Sequence, residues 1–277
     1  MFKNILIPQD GSKHSRAALT YGIWLAKKFD AKIIGLYVVD VVAMEGPFLH
    51  DLSGSLGFEP FLNFSTKMRE ILENKGQGIL KEFAEICDRE KIIYDSIQDF
   101  GIVTNVICEK AKTADIVIMG RRGINIQFEY GLLGSTTEGV IRKSPKPVII
   151  VPDEYKELSN PLLAYDGSFT ASRAMHSAAE FVKTLNLPLT VLTISRDKAD
   201  ETVVKEAKEY FKPYNIQPSY VSITGDAHHE IVSYYKEKNH DILFMGVTSH
   251  SRIVEMVLGS TTEYVMRSIN GPVFLER

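Results

Sequence analysis

The stretch NILIPQDGSKHSRAAL at residues 4–19 returns in altered form as PLLAYDGSFTASRAM at residues 161–175. The tripeptide Asp10-Gly11-Ser12 recurs as Asp166-Gly167-Ser168, 156 positions later. In both places a short apolar run precedes the tripeptide, and apolar residues at helical spacing follow it. This pattern is typical of a strand, a tight turn and a helix. It predicts that the chain contains the same unit twice.

Three further matches follow in the same order. Gly120 in ADIVIMGRRG recurs as Gly246 in HDILFMGVTS, and GSTTE at residues 134–138 recurs at 259–263. The run IRKSPKPVIIVP at 141–152 recurs as MRSINGPVFLER at 266–277. Four ordered matches are difficult to obtain by chance, so we infer a tandem repeat.

Each repeat has five short apolar runs that alternate with longer helical patterns. Near-continuous apolar strands of this kind are buried on both faces of a parallel sheet, and right-handed crossovers favour a doubly wound arrangement. The predicted fold class is therefore α/β, with two tandem Rossmann-like or flavodoxin-like domains, each a five-stranded parallel sheet with helices on both faces. The predicted strands are 4–8, 32–39, 92–97, 115–119 and 147–151, then 161–165, 189–194, 216–223, 241–245 and 272–275.

The two domains are predicted to cover residues 1–152 and 161–277, joined by a polar linker at 153–160. The first repeat is about 30 residues longer between its Asp-Gly-Ser turn and its later glycine. We assign most of this excess to an insertion at about 41–70, and its role as a lid, a contact surface or a disordered segment stays open. Predicted helices include 15–29, 78–90 and 199–211.

Composition and charge restrict the classes of function. The formal net charge is −3, so no overall basic field favours nucleic acid or an anionic membrane surface. No apolar run approaches the ~20 residues of a membrane span, and the first residues lack a secretory signal pattern. The two cysteines, Cys87 and Cys108, have no metal-ligand spacing. These features lead us to expect a cytoplasmic protein without nucleic-acid or membrane partners.

The repeated motifs fall where ligands bind in parallel sheets, outside the carboxyl ends of the strands. Asp10 and Asp166 follow the first strand of each repeat, and Gly120 and Gly246 follow the fourth. The next helix begins at a Gly-Ser pair, and a helix N-terminus attracts anions. This arrangement suggests a phosphate seat opposite an acidic residue that contacts ribose or adenine. A turn and ordinary helix capping explain each motif taken singly, but the ordered recurrence favours binding.

At these residues the sequence resembles the universal stress protein family. That family has an Asp after the first strand, a G-x2-G-x9-G-[ST] loop that holds ATP phosphates, and a closing strand similar to 147–151 and 272–275. The resemblance implies ATP or another adenine nucleotide, with Mg²⁺ as a candidate companion, in a stress-response or regulatory protein. It also implies an intrachain pseudo-dimer paired through the final strands, and a homodimer is a further expectation. The residues it assigns to binding are Asp10, Gly120, Gly123, Gly134, Ser135 and Thr136, then Asp166, Gly246, Gly259, Ser260 and Thr261.

Both repeats depart from this loop pattern. Ten residues rather than nine separate Gly123 from Gly134, and Ser249 replaces the middle glycine of the second repeat. Arg121 and Arg122 lie inside the first loop, where pairing with phosphate and exposure to solvent are equally compatible with the sequence. His228 and His229 are adjacent on a predicted helix and so should not share a face for binding a metal. No metal site is predicted.

The sequence features leave three classes of function to consider. The leading one is a nucleotide-binding protein that acts by binding rather than turnover. The alternative is a scaffold or adaptor that has lost nucleotide binding and engages protein partners through its insertion and its domain surfaces. An enzyme is disfavoured, because the sequence has neither G-x4-GK[ST] nor a complete G-x-G-x-x-G after a strand. No catalytic residues are assigned, and slow ATP hydrolysis stays open.

Overall fold

The structure is a computed structural model that describes residues 2–41, 61–124, 133–196, 201–247 and 258–277. Strands and helices alternate along it, as the apolar runs predict. The strands are β1 Asn4–Pro8, β2 Lys32–Asp40, β3 Tyr94–Gly101, β4 Ile116–Gly120, β5 Val148–Val151, β6 Pro161–Ala164, β7 Thr190–Ser195, β8 Ser219–Thr224, β9 Ile242–Gly246 and β10 Val273–Glu276. The helices are α1 Lys13–Phe29, α2 Phe61–Glu90, α3 Val103–Ala111, α4 Ser135–Lys143, α5 Phe169–Leu185, α6 Glu201–Phe211, α7 Ala227–Glu237 and α8 Ser260–Ser268.

These ten strands lie in one sheet with the order β3-β2-β1-β4-β5-β10-β9-β6-β7-β8. Within each repeat the neighbouring strands are parallel, which confirms the predicted α/β class. The repeats meet where β5 pairs antiparallel with β10, with Ile149 opposite Phe274. The two predicted five-stranded sheets therefore form one continuous ten-stranded sheet. In the first repeat, β1 lies between β2 and β4, and this reversal of strand order marks the switch point where ligands bind.

Alternation along the strands gives the sheet a core on each face. Ile5 and Ile7 pack into one apolar cluster, and Leu6 between them packs into the other. Both clusters contain residues from both repeats. Aromatic pairs cross the junction, including Phe2 with Phe274 at 6.1 Å between ring centroids. Apolar burial on both faces therefore holds the repeats together in addition to the strand pairing.

The predicted bounds of the helix between β2 and β3 were wrong. The helix predicted at 78–90 begins at Phe61, so residues 61–70 of the predicted insertion belong to α2. The helix continues through Gly76 and Gly78, because tertiary packing overrides the low helix propensity of glycine. Residues 42–60 of the predicted insertion lie outside the described residues. Among the described helices, none combines the length and apolar character that crossing a membrane requires.

Candidate functional site

The Asp-Gly-Ser turn leads from β1 into α1. Gly11 has φ +80°, a left-handed conformation that glycine adopts without steric cost. Oδ1 of Asp10 accepts a hydrogen bond of 2.9 Å from the backbone N–H of Ser12. The Ser12 hydroxyl then caps α1 by accepting from the backbone N–H of Ser15 at 3.1 Å. The tripeptide is therefore a helix-initiating turn, and it also fixes the carboxylate at the end of β1.

Gly120 ends β4 directly beneath α1. A Cβ atom at this position would lie 2.6 Å from Cβ of His14, so the helix can approach only a glycine here. The carbonyl of Gly120 accepts a 3.0 Å hydrogen bond from the buried hydroxyl of Thr137 on α4. The role of Gly120 that the structure describes is close packing of helix on strand.

The N-terminus of α4 has a glycine at its cap position. Gly134 is the N-cap and makes no side-chain capping bond, so Ser135 and Thr136 are the first helical residues. The backbone N–H of Gly134 donates to the carbonyl of Arg121 at 2.9 Å, which fixes the start of the helix. A glycine cap leaves the first amide groups of the helix without a side-chain acceptor, and the helix dipole adds positive potential there. This end of α4 has the chemistry of an anion seat.

The loop that follows β4 and contains Gly123 contacts Asp10. The second carboxylate oxygen of Asp10, Oδ2, accepts a hydrogen bond of 3.1 Å from the backbone N–H of Ile124. A Cβ atom on Gly123 would lie 2.8 Å from the same oxygen, so glycine allows this approach. The structure thus brings together the predicted residues Asp10, Gly123 and Gly134 around one space.

That space is a cavity of about 430 Å³, within the usual range for small-molecule sites. Its lining includes Asp10, Gly120, Gly123 and residues 134–137. Apolar side chains form another part of the wall. They come from β2, α2, α3 and β4, and include Leu36, Val38, Leu72, Val103, Ile107 and Met119.

Helix α2 closes one side of this cavity. It approaches β2 closely at Gly76, where a Cβ atom would lie 2.4 Å from Cδ1 of Tyr37. Leu72 and Lys75, about one turn and one residue before Gly76, line the cavity. Lys75 also lines an adjoining cavity of about 410 Å³, which borders the α1 N-terminus at Lys13 and Arg16. These contributions from α2 were not predicted from the sequence, because they depend on the helix beginning before residue 78.

Burial and charge alter two groups near the cavity. Burial raises the pKa of Tyr37, and the negative charge of Asp10 adds to this increase. Burial lowers the pKa of His14, and the positive charge of Arg122 acts in the same direction. Both side chains are therefore neutral at pH 7, and Tyr37 offers a hydroxyl in the cavity wall.

The structure contradicts a phosphate role for the Arg121 side chain. Its Nη1 donates to the carbonyl of Met266 and its Nη2 to the carbonyl of Gly271, each at 2.8 Å. The side chain therefore points into the second repeat, away from the loop to which it belongs. Burial lowers the pKa of its guanidinium. Arg122, the other candidate, lines the cavity.

The second repeat reproduces the local geometry of the first. Oδ1 of Asp166 accepts from the N–H of Ser168 at 3.0 Å, and Gly167 has φ +76°. Gly246 ends β9 where a Cβ atom would lie 2.5 Å from the backbone N of Ala171. Gly259 is the N-cap of α8, so Ser260 and Thr261 open that helix. The loop that contains Ser249 lies outside the described residues.

The adjacent histidines of α7 do meet, contrary to the expectation. The ring centroids of His228 and His229 are 4.3 Å apart, and each ring lies 4.9 Å from the ring of Tyr264. His228 also contacts Asp226, which caps the helix. Among the residues that the structure describes, no group of three or more His, Cys, Asp or Glu side chains has metal-binding geometry.

Known proteins match this chain in sequence and in fold. The model of the universal stress protein family matches residues 1–152 and again residues 160–277. The chain belongs to the universal stress protein family. As a universal stress protein with two family units in one chain, it has a full-length relative in Synechocystis, which is 28% identical over 99% of this chain and 100% of that protein.

Other universal stress proteins match in sequence or structure. One from Methanocaldococcus jannaschii is 34% identical and covers 57% of this chain and 86% of its own length. The crystal structure of one from Archaeoglobus fulgidus superposes with a TM-score of 0.79 at 25% identity. That match covers 99% of this chain and 98% of the other, so the tandem arrangement is common to both.

Proposed function

We propose that this universal stress protein binds an adenine nucleotide, ATP in the first instance, in the cavity of its first repeat, and that it acts by binding rather than turnover. The observation that carries the proposal is that the N-terminus of α4, which has no side-chain cap, and Asp10 line the same cavity of about 430 Å³. A nucleotide has the matching parts: an anionic chain, a hydroxylated sugar and a flat, largely apolar base. The family resemblance supports adenine as the base.

The residues divide between these parts of the ligand. The first amide groups of α4 and the hydroxyls of Ser135 and Thr136 would hold phosphate oxygens, with Arg122 at the same wall. Asp10 would accept from a ribose hydroxyl through lone pairs that its two amide hydrogen bonds leave free. The base would lie on the apolar wall formed by β2, α2 and α3.

Magnesium would enter with the phosphates rather than through a preformed protein site. Mg²⁺ keeps several waters and binds through few carboxylates together with substrate phosphates. Asp10 and Asp40 both line the cavity, and each oxygen of Asp10 already accepts one hydrogen bond from a backbone amide. We therefore expect Mg²⁺ to change affinity through the charge of the nucleotide.

The second repeat is a weaker candidate for the same ligand. Asp166, Gly246, Gly259, Ser260 and Thr261 would take the equivalent roles there. Its helix α6 begins at Glu201 and has 11 residues, whereas α2 has 30. The wall that Leu72 and Lys75 supply in the first repeat comes from the longer part of α2. We accordingly propose the first repeat as the main nucleotide site.

Calorimetric titration of ATP into the purified chain tests the proposal. Gly134→Asp places an anion at the phosphate seat, and Gly134→Ala is the matched neutral control. Gly134 has φ −62°, and its Cβ would meet Arg122 Cα at an ordinary 3.4 Å, so both substitutions fit the backbone. We expect binding by the wild type and by Gly134→Ala, and its loss in Gly134→Asp. Absence of binding by the folded wild type at millimolar ATP would contradict the proposal and favour the adaptor function.

The proposed phosphate site of the second repeat is tested with a separate variant. Gly259→Asp puts an anion at the N-cap of α8. If the first repeat is the main site, this variant retains most of the binding heat. Equal losses in both aspartate variants would instead mean that both repeats bind.

A further inference from the structure

Arg121 is part of the framework of the proposed phosphate seat through its backbone. Its N–H donates to the carbonyl of Val151 at 3.3 Å, and its carbonyl accepts from the N–H of Gly134 at 2.9 Å. Gly134 is the cap of α4. The position of this one residue therefore sets where the helix N-terminus begins relative to β4 and β5.

The side chain of the same residue is anchored outside its own repeat. Its two Nη atoms each donate a 2.8 Å hydrogen bond to a carbonyl, one in the last turns of α8 and one in the turn before β10. Carbonyls at a helix C-terminus lack intrahelical partners and carry the negative end of the helix dipole, so a guanidinium is a favourable partner for them. The side chain of Arg121 thus binds the second repeat, while its backbone carbonyl binds the N–H of Gly134.

The side-chain contact of Arg121 has no counterpart at the equivalent position of the second repeat. Val247 occupies the position equivalent to Arg121 in the second repeat and makes the equivalent backbone bond, from its N–H to the carbonyl of Glu276 at 2.7 Å. An apolar side chain cannot reproduce the hydrogen bonds of a guanidinium across the junction. The proposed phosphate site of the first repeat therefore depends on a side-chain contact with the second repeat, and Val247 cannot make the equivalent hydrogen bonds in the opposite direction.

From this geometry we infer that Arg121 is a positioning residue for nucleotide in the first repeat: anchored on α8 and the turn before β10, it holds the Gly134 end of α4 in the binding conformation. The inference rests on the proposed function. It assigns Arg121 no contact with the ligand. Nucleotide affinity in the first repeat would therefore depend on residues of both repeats. Helix α8 connects the two sites, because its C-terminal end binds Arg121 and its N-terminal end carries Gly259, the proposed phosphate site of the second repeat. At nine residues, α8 is about 13 Å long.

The test is ATP affinity measured by calorimetry in the full chain carrying Gly259→Asp, so that the first-repeat seat is observed alone. Arg121→Met removes both anchoring bonds and keeps an apolar side chain of similar length. The matched control is Arg173→Met. It removes another arginine, which lies within the second repeat and pairs with buried Glu276 at 3.1 Å. We expect both substitutions to lower the unfolding temperature. Only Arg121→Met should weaken ATP binding, by roughly two- to thirtyfold.

A conservative variant separates positioning from simple destabilisation. Arg121→Lys keeps the cation and can donate to one of the two carbonyls, so we expect an affinity between those of the parent and of Arg121→Met. Parent-level affinity in Arg121→Met, or an affinity in Arg121→Lys no higher than in Arg121→Met, would overturn the inference. Failure of the parent chain to bind ATP would overturn the proposed function, and the two failures are distinguished because the parent is measured first.

Discussion

Oδ2 of Asp10 accepts a hydrogen bond of 3.1 Å from the backbone N–H of Ile124, which joins the turn after β1 to the loop after β4. The other oxygen of the same carboxylate holds the N–H of Ser12 at the start of α1. One side chain therefore connects two segments that are more than 100 residues apart in the sequence. The connection closes the space in which we place the nucleotide.

Removing this carboxylate should affect stability and binding together. Asp10→Ala loses both hydrogen bonds and should lower the free energy of unfolding by about 1–2 kcal/mol, because hydrogen bonds to charged groups contribute more than neutral ones. ATP affinity should fall in the same variant. Urea unfolding and calorimetry measure the two effects. Asp166→Ala is the control in the second repeat, and a larger loss of ATP affinity there than in Asp10→Ala would contradict the site assignment.

Gly120 should not tolerate even a methyl group. In Gly120→Ala the new Cβ would lie 2.6 Å from Cβ of His14 and 3.0 Å from its carbonyl atoms, so α1 must shift on β4. Overpacking of this kind costs about 1–3 kcal/mol. Gly78→Ala is the matched control, since its Cβ would point into open space and alanine is the better helix former. Urea midpoints that move in the same direction for both variants would contradict this packing role.

The cavity wall formed by α2 should depend on Gly76. In Gly76→Ala the Cβ would lie 2.4 Å from the ring of Tyr37, so the ring or the helix must move, and Leu72 and Lys75 move with the helix. We expect ATP affinity to fall by about tenfold, which corresponds to 1.4 kcal/mol. The same titration on Gly78→Ala should give wild-type affinity. Unchanged binding by Gly76→Ala would show that the α2 wall does not contact the ligand.

Stability should fall as the pH drops below the ordinary pKa of histidine. His240 is buried, its Nδ1 lies 2.9 Å from the carbonyl oxygen of Asn160, and its Nε2 has no partner among the described residues. Burial lowers the pKa of this imidazole below 6.5. The unfolded chain therefore binds more protons than the folded chain below about pH 6.5, and the free energy of unfolding decreases with decreasing pH there.

The variant His240→Gln tests the origin of this pH dependence. Glutamine keeps a polar side chain but does not titrate, so the decrease in unfolding free energy between pH 7.5 and 5.5 should become smaller. His14, whose pKa burial also lowers, contributes with the same sign and should account for part of what remains. Urea unfolding at each pH measures the slope. An identical slope in the wild type and in His240→Gln would refute the assignment to His240.

Short-range chemistry explains what could be predicted from the sequence. The two Asp-Gly-Ser turns follow from a glycine at positive φ and a serine that caps the next helix, and both act within a few residues. Apolar periodicity located most strands to within a few residues, since burial on both faces of a parallel sheet requires continuous apolar runs. The repeat itself gave the ordered motifs and the family resemblance.

Longer-range packing decided the rest. Helix α2 continues through Gly76, where it packs closely against Tyr37, a contact that the spacing of glycines along the helix does not reveal. The end of β3 at Gly101 rather than residue 97 depends on its pairing with β2. Element bounds are set by neighbours in space, whereas propensity describes only neighbours in sequence.

The sequence by itself determined that this protein has two α/β units, where each unit turns from strand to helix, and which glycines and acids follow the strands. The family resemblance predicted pairing through the final strands. Only the tertiary structure decided the register of β5 on β10 and that Arg121 binds the carbonyls of Met266 and Gly271 instead of facing its own loop. The physical reason is the range of the interactions. A turn or a cap is satisfied locally, whereas the destination of a long charged side chain is set by which unpaired carbonyls the folded chain brings within its reach.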